Sequence, residues 1–307
     1  MFKAKLVYKF KGLWYNKFKI LKDIMTFIGA LVTLNNFVKL SGSEFWIELF
    51  RKMNSFFLEF VLVTALFIIW KRLPRNEYKY KVKGVNGDAF VSLCLGDVLS
   101  DEGSIVIPTD SCFDTSMYAN MISAECIQGQ FQNKYFKNNL QSLDTLIEES
   151  LKSQNDFVEI ERVHPMKNKR YSLGTIARIN IPQAENGKRA YLLSVVDMSE
   201  YFTPENRTPD GYKEMLINFW QQLSVYGHNE ERLAVSVLGV GRAGYSIDID
   251  KAIVYIVNSY IDAVKTNNIV KNLAIYIHWN AITKKRVDFF MVKKHIKAIC
   301  KYSDLRK

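Results

Sequence analysis

The feature that most constrains this chain is an apolar segment, Met53–Trp70, which stops abruptly at Lys71 and Arg72. Its 18 residues would make roughly 27 Å of helix, close to the thickness of a bilayer core. Tryptophan followed by two cations is typical of a membrane–water interface. A buried helix of a soluble protein would instead carry a polar stripe, and Glu59 is the one charged interruption here. The pattern predicts a transmembrane helix over about residues 53–70.

A second apolar segment, Ile24–Leu40, precedes it and is interrupted by Asn35 and Asn36. Alone, this segment could lie in the membrane interface. Paired with Met53–Trp70 across a short link, it favours a helical hairpin, because both polar flanks then stay on one side of the bilayer. The apolar stretch starts late and is followed by no small-residue cleavage site, which argues against a signal peptide that is removed.

The positive charge of the chain is concentrated around these two segments. Residues 1–83 hold 16 Lys and Arg against 5 Asp and Glu, and the remaining 26 basic and 26 acidic residues cancel. The basic excess therefore does not indicate nucleic-acid binding. Because basic residues flank the hairpin and few lie in its link, both chain termini are expected in the cytoplasm.

Two features of this N-terminal part leave alternatives open. Glu59 near the membrane interior is costly if it faces lipid. It either faces another helix or water, which suggests self-association, or lies near the headgroups and snorkels. Residues 1–22 alternate bases with aromatic and aliphatic side chains, which suits an anionic lipid surface or a solvated basic tail.

Residues 84–307 are expected to form one domain, opened by the turn residues Gly84, Asn86 and Gly87. β-Branched runs alternate with helical patterns, and the last strand–helix–strand unit is a crossover, so the predicted class is α/β with a mixed sheet and flanking helices. The predicted strands are Ala89–Leu95, Ser104–Pro108, Thr175–Ile181, Arg189–Asp197, Leu233–Leu238 and Asn272–Trp279. The predicted helices are Leu143–Ser153, Pro209–Tyr226, Asp248–Thr266 and Val287–Cys300. The stretch Phe157–Arg170 resembles an insertion and has no predicted role.

Cysteines and histidines are scattered along this domain without ligand spacing, so neither a disulfide framework nor a metal site is expected. No Ser/His/Asp or Cys/His grouping has the local spacing of a known nucleophile signature. These patterns give no indication of a protease or a nuclease.

A glycine-rich segment, Gly239-Val240-Gly241-Arg242-Ala243-Gly244 with Tyr245 after it, follows one predicted strand and precedes a helix. It fits G-x-G-x-x-G, in which glycines let backbone N–H groups approach a pyrophosphate at a helix N-terminus. A dinucleotide site would also need an acidic residue at the end of the next strand, which here ends in His278-Trp279-Asn280. Phosphate binding is therefore favoured over an NAD site, and plain turn glycines are the alternative.

Two carboxylates lie where predicted strands end: Asp97, followed by Val98, and Asp110, followed by Ser111. Open α/β sheets bind ligands at this edge. Equally, Asp97 could cap a turn and Asp110 a helix. Downstream, Gly129-Gln130 is a candidate second loop for approach to a phosphate.

These residues resemble a macro domain, the ADP-ribose-binding fold, in diverged form over roughly Asp88–Cys300. The resemblance implies that Asp97 reads the adenine amino group and that Gly239–Gly244 hold the diphosphate. It places Asp110 where the family has an asparagine, and the region around Gly129-Gln130 where the family has a triple-glycine loop. Catalytic ADP-ribosyl hydrolases of the family depend on that asparagine and that loop, so binding is implied more strongly than hydrolysis.

Two membrane segments followed by such a domain are similar to the effectors of type II Thoeris antiphage systems. In that family a TIR-domain enzyme makes histidine-ADP-ribose from NAD, the macro-like domain senses it, and the membrane part damages the bacterial inner membrane so that the infected cell dies. The resemblance implies a non-catalytic, oligomeric sensor without a cofactor, in which Asp110 faces the cationic part of the ligand. The alternatives are a membrane-tethered ADP-ribosyl hydrolase that uses Asp110 or Asp114, and a structural membrane adaptor.

Overall fold

The computed structural model divides the chain into two compact units, Met1–Arg75 and Asn76–Lys307. It describes all residues except 1, 41, 46–47, 49–50, 53–55, 86, 119–120, 138, 163–166, 183, 185–186, 199–203, 206, 227–230, 242, 268, 285 and 306–307. The expected domain start at residue 84 falls later than this division. The difference arises because Glu77–Lys81 already forms a strand that pairs with the next one.

The N-terminal unit contains the helices α1 (Phe2–Tyr15), α2 (Lys17–Leu40) and α3 (Phe57–Lys71). By length and composition, α2 is the one helix among the described residues that could cross a membrane, and its apolar window is not buried. The 15 residues of α3 make about 22 Å of helix. Residues 53–55, the expected start of the second segment, lie outside the described residues. The first apolar segment, Ile24–Leu40, is the one interrupted by polar residues, yet it lies in the longer helix. The reason is that α2 begins at Lys17 and includes the lysine-rich residues before Ile24.

Polar contacts join the ends of these helices. Asp23 in α2 accepts hydrogen bonds from Arg72, the C-cap residue of α3, at 2.9 Å from Nε to Oδ2. Tyr8 of α1 is buried and donates its hydroxyl proton to the carbonyl of Arg75. The residues that flank the two apolar segments therefore lie together, and residues 2–15 form a packed helix within this unit.

The second unit is a mixed sheet covered by helices on both faces. Its strands are β1 (Glu77–Lys81), β2 (Phe90–Leu95), β3 (Ser104–Asp110), β4 (Phe157–Glu159), β5 (Lys169–Tyr171), β6 (Ile176–Asn180), β7 (Arg189–Met198), β8 (Pro204–Glu205), β9 (Arg232–Ser236) and β10 (Asn272–Ile277). The order across the main sheet is β1-β2-β10-β9-β3-β7-β6, with β8 beside β7 and with β4–β5 as a separate hairpin. The central strands β2, β10, β9, β3 and β7 run parallel, and β1 and β6 are antiparallel edges.

The helices of this unit are α4 (Ile127–Tyr135), α5 (Leu140–Leu151), α6 (Pro209–Tyr226), α7 (Ile249–Thr266), α8 (Trp279–Thr283) and α9 (Phe289–Lys301). Phe131 of α4 and Ile147 of α5 pack in one core cluster with Ile107 of β3. Helices α6, α7 and α9 form a second layer, in which α7 contacts both of the others. Asp288 begins α9 by accepting from the backbone N–H groups of Phe290 and Met291 (3.0 and 3.3 Å), as an N-cap does.

The α/β class and the mixed sheet are confirmed, each predicted strand and helix overlaps an observed one, and α6 has the predicted bounds. The predicted strand Asn272–Trp279 was too long, because it ends at Ile277 and His278 caps the helix that begins at Trp279. The sequence patterns did not predict β1, β8, α4, α8 or the β4–β5 hairpin. β1 was overlooked because its alternation of charged and tyrosine residues continues the basic run after the membrane segment. The stretch Phe157–Arg170 supplies most of the β4–β5 hairpin.

Candidate functional site

The carboxyl ends of the five parallel strands meet at one edge of the sheet, here called the crest. Asp97 follows β2, His278 follows β10, the glycine loop follows β9 and Asp110 ends β3. Ligands of open α/β sheets bind at such an edge. The predicted residues Asp97, Asp110 and Gly239–Gly244 are thus brought to the same side of the domain.

The crest opens between β9 and β3. These strands pair only at Ser104–Leu233 and Ile105–Ala234, whereas β3 stays paired with β7 as far as Asp110. Beyond Ile105 the pairing of the two strands ends, and the space between the glycine loop and the end of β3 is here called the cleft. Next to their ends, the buried hydroxyls of Ser111 and Ser236 have no hydrogen-bond partner within the described part of the chain. A buried hydroxyl without a partner calls for an explanation, such as an ordered water molecule or a bound group.

The glycine loop has a fixed backbone. Gly239 and Gly244 have φ of 72° and 68°, a region that favours glycine. A Cβ at Gly239 would lie 2.8 Å from the ring of Tyr245 and 2.9 Å from that of Tyr212, whereas a Cβ at Gly241 would meet nothing within 4 Å. Gly239 is therefore required by packing, and Gly241 borders open space. Arg242 lies outside the described residues.

Two buried tyrosines contact this loop and hold it in place by hydrogen bonds. Tyr212 donates to the carbonyl of Leu238 (3.1 Å), and Tyr245 donates to the carbonyl of Val195 in β7 (2.9 Å). Their rings meet edge to face at 5.2 Å. Burial raises the pKa of Tyr245 to about 12, so the hydroxyl stays a neutral donor. Tyr245, predicted to bind ligand, holds the loop to the sheet through this contact.

Asp97 lies exposed at the other end of the crest. Its Oδ1 accepts from the N–H of Leu99 (3.0 Å) and thereby caps a short 3-10 turn, while Val98 is buried below it. One interpretation left open by the sequence, a turn cap, is therefore confirmed, and the outer part of the carboxylate still faces solvent. Since three strand spacings of about 4.8 Å separate β2 from β3, Asp97 and Asp110 are at least about 14 Å apart.

Asp110 turns inward instead. Its Oδ1 accepts from the N–H groups of Cys112 (2.8 Å) and Asp114 (3.4 Å), and its exposed fraction is 9%. Burial, and then the neighbouring carboxylate of Asp114, raise its pKa to about 6, although nearby Arg162 acts in the opposite sense. Asp110 therefore caps the turn after β3, and not a helix as the structural alternative from the sequence had it.

The residues Gly129 and Gln130 lie in a helix, so the prediction that they form a loop was wrong. They belong to α4, where a Cβ at Gly129 would lie 2.1 Å from the carbonyl oxygen of Ser123. Their neighbours in the helix hold the loop after β3 in place: Gln128 donates to the carbonyl of Asp114 (2.7 Å) and Gln132 to that of Thr115 (2.9 Å). The sequence misled because a glycine required by close packing is indistinguishable from one required by a ligand.

The segment from β4 to β5, here called the strap, fastens onto the same loop. The N–H of Lys167 donates to Asp114 Oδ1 (2.8 Å), Arg162 pairs with Asp114 Oδ2 (2.8 Å), and the N–H of Tyr171 donates to the carbonyl of Ser111 (2.9 Å). Phe113, the one non-glycine residue with positive φ (55°) within the described chain, packs edge to face on Tyr171. Strain at such a position is held by surrounding contacts. The strap therefore shapes the β3 side of the cleft, a role that no sequence pattern indicated.

Within the described residues, no group of His, Cys, Asp and Glu side chains could hold a metal ion. The polar groups at the crest are backbone amides, serine hydroxyls and carboxylates. The backbone amides and the serine hydroxyls can donate hydrogen bonds to a phosphate, whereas the carboxylates can only accept them from donor groups of a ligand.

Comparison with known proteins identifies the second unit. The family model described as Thoeris protein ThsA, Macro domain, matches residues 91–278. Among solved structures, a point mutant of the Oceanobacillus iheyensis macrodomain with ADP-ribose is 12% identical with a TM-score of 0.48, covering 75% of this chain and 100% of that one. The Trypanosoma brucei macrodomain in complex with ADP-ribose is 9% identical with a TM-score of 0.42, covering 64% and 66%. No curated protein matches the chain. Since the family match spans more than half of the residues, this chain belongs to the family of the Thoeris protein ThsA macro domain.

Proposed function

We propose that this protein is a membrane-anchored sensor and effector of antiphage defence, whose domain at residues 76–307 binds histidine-ADP-ribose or a related ADP-ribose derivative. The observation that carries the proposal is the membership of a Thoeris macro family together with an open glycine loop at the crest. The signal comes from a TIR-domain enzyme, which is a partner through its product. No nucleic acid and no cofactor take part.

The ligand lies along the crest. Its diphosphate accepts from backbone amides of Gly239–Gly244, where Gly241 leaves room for close approach. Its adenine lies toward the exposed carboxylate of Asp97. Its far end enters the cleft between β9 and β3, where the unpaired hydroxyls of Ser111 and Ser236 supply hydrogen bonds.

The domain acts by binding and not by hydrolysis. A hydrolase that used one of these carboxylates would need it placed to activate a water molecule. Asp110 is tied to two backbone amides, and Asp114 is tied to Arg162 and to the N–H of Lys167. We therefore propose that Asp110 shapes the cleft, and that its negative charge attracts the cationic amino-acid part of the ligand.

The N-terminal unit anchors the protein in the bacterial inner membrane as a helical hairpin with both termini in the cytoplasm. The contact of Asp23 with Arg72 supports this topology, because it joins the polar flanks of α2 and α3. Trp70 and Lys71 lie at the end of α3, as expected for an interfacial anchor.

Ligand binding drives assembly, and clustered hairpins disrupt the membrane. A ligand can shift such an equilibrium only by its different affinities for the two states. Glu59 is exposed on α3 and would meet its copies around a polar path in an oligomer. Disruption of the membrane kills the cell before the phage matures.

Thermal unfolding of the full-length protein with ADP-ribose, NAD and histidine-ADP-ribose tests the proposal, with Gly241→Glu and Asp97→Ala as comparison variants. Selective stabilisation by the histidine conjugate, lost in the variants, supports a sensor. Conversion of a ligand during the incubation would indicate a hydrolase instead. No stabilisation by any of the three would leave a membrane adaptor.

A further inference from the structure

The last helix of the domain carries charge of one sign. α9 contains Lys293, Lys294, Lys297 and Lys301 and no acidic residue. Three of these lysines (Lys294, Lys297 and Lys301) are exposed, whereas Phe290, Ile296 and Cys300 on the other side of the helix are buried. The positive charge therefore faces outward, and these three lysines are here called the basic face.

Neighbouring elements add further cations around the basic face. Exposed Lys83 follows β1, and its backbone N–H donates to the carbonyl of Cys300 (3.1 Å) and to Ser303 Oγ (3.0 Å). Lys265 of α7 donates to the carbonyl of Ser303 (2.7 Å). The nearby acids are Asp288 at the N-cap, Asp250, whose pKa is raised by burial and, among other effects, lowered by the neighbouring His295, and Asp304 after the helix. The local balance is strongly basic although the domain as a whole is nearly neutral.

Apolar side chains accompany these lysines. Met291, Tyr302 and Leu305 are exposed by 41%, 50% and 74%. Exposed lysines combined with aromatic and aliphatic side chains suit a surface that rests on anionic lipid headgroups.

A short linker joins the end of α3 to β1, the strand on which α9 packs. Helix α9 packs on β1, where Tyr78 and Phe289 have ring centroids 6.1 Å apart and Lys293 Nζ lies 3.6 Å from the ring of Tyr78. β1 begins at Glu77, and α3 ends at Lys71. A linker of this length spans at most about 20 Å. With α3 ending at the bilayer surface as proposed above, this linker limits how far Glu77 can lie from the headgroups.

We propose that the basic face of α9 binds anionic phospholipid headgroups and so orients the sensor domain on the inner surface of the membrane. This inference rests on the membrane anchoring proposed above. It adds a second, reversible membrane contact to the hairpin, made by the domain that binds the signal.

The test uses the full-length protein in nanodiscs of phosphatidylcholine alone or with phosphatidylglycerol, and measures the rate of reductive methylation of each lysine by mass spectrometry. Lys294, Lys297 and Lys301 should react at least about five-fold more slowly in the anionic nanodiscs, since each surface lysine gains roughly that factor from an anionic leaflet. High salt should restore their rates. Exposed Lys152 at the C-cap of α5 is the matched control and should react equally in both.

Equal rates at the three lysines in both nanodiscs would overturn the proposal. A Lys294→Glu, Lys297→Glu variant should lose the lipid-dependent protection of Lys301, and a Lys152→Glu variant should keep it. Extraction of the protein from liposomes by alkaline carbonate would instead count against the hairpin anchor. Failure of the lipid-binding proposal can therefore be distinguished from failure of the proposed membrane anchor.

Discussion

Arg162 and Asp114 form an ion pair in which both side chains are almost completely buried, with exposed fractions of 0% and 2% and 2.8 Å between Nη1 and Oδ2. Arg162 also donates to the carbonyl of Lys167 (3.0 Å), whose N–H donates to the same aspartate. The pair joins the strap to the loop that ends β3. It therefore couples the cleft at the crest to a segment that the sequence presents as an insertion.

Replacing Arg162 with methionine should destabilise the domain by about 3–5 kcal/mol, because a buried carboxylate loses its partner. Denaturant unfolding measures the change. The exposed pair of Lys213 with Asp210 is the control, and Lys213→Ala should cost less than about 1 kcal/mol. An Arg162→Met, Asp114→Asn double variant should recover part of the loss. No recovery would mean that Arg162 acts by packing and not by charge.

Asp110→Asn should make the domain more stable at pH 7 to 8. The folded-state pKa of Asp110 is about 6, above the ordinary 3.8, because of burial and Asp114. A raised pKa means that the folded state holds the proton more tightly, so stability is full below pH 4 and is lost as the pH rises through 6. The asparagine oxygen still accepts from the turn and avoids this loss, which is at most about 3 kcal/mol.

Thermal unfolding from pH 4 to pH 8 checks the Asp110 prediction. The advantage of the variant should vanish near pH 4. The exposed Glu125→Gln is the control for loss of a carboxylate outside the buried cluster. An advantage that is equal at both ends of the pH range would show that the charge of Asp110 is not the cause.

Sequence patterns were sufficient to predict those elements whose structure is determined by local interactions. The parallel strands were found because buried β-branched runs specify them, and the capping pair Thr208-Pro209 gave the start of α6. The positions of Asp97, Asp110 and the glycine loop at one edge then followed from the topology. Long-range packing decided the rest, since neither Gly129 nor the partner of Arg162 has a local signature.

Substitutions at Gly239 and Gly241 should show which glycine of the loop is required for packing and which for binding of the ligand. Gly239→Ala should destabilise the domain by about 1–3 kcal/mol, since its Cβ meets two buried tyrosine rings and its φ is positive. Gly241→Ala should leave unfolding unchanged, because it borders open space. Gly241→Glu should likewise fold but lower affinity for an ADP-ribose ligand at least about ten-fold by like-charge repulsion. Calorimetric titration measures the affinity, and unchanged binding would remove the loop from the site.

Glu59→Gln should separate signal binding from membrane damage. Glu59 lies exposed on α3, far along the chain from the crest, so affinity for the ligand should not change. If clustered hairpins place these carboxylates around a polar path, the variant should release dye less readily than the wild type. In liposomes that contain the full-length protein, the release triggered by histidine-ADP-ribose should be at least about ten-fold lower in Glu59→Gln. Glu48, which forms an exposed pair with Lys52, offers the control, and Glu48→Gln should release dye as the wild type does. Equal loss in both variants would point to the net charge of the hairpin, and no loss in either would show that Glu59 lies at the headgroups and not in the path.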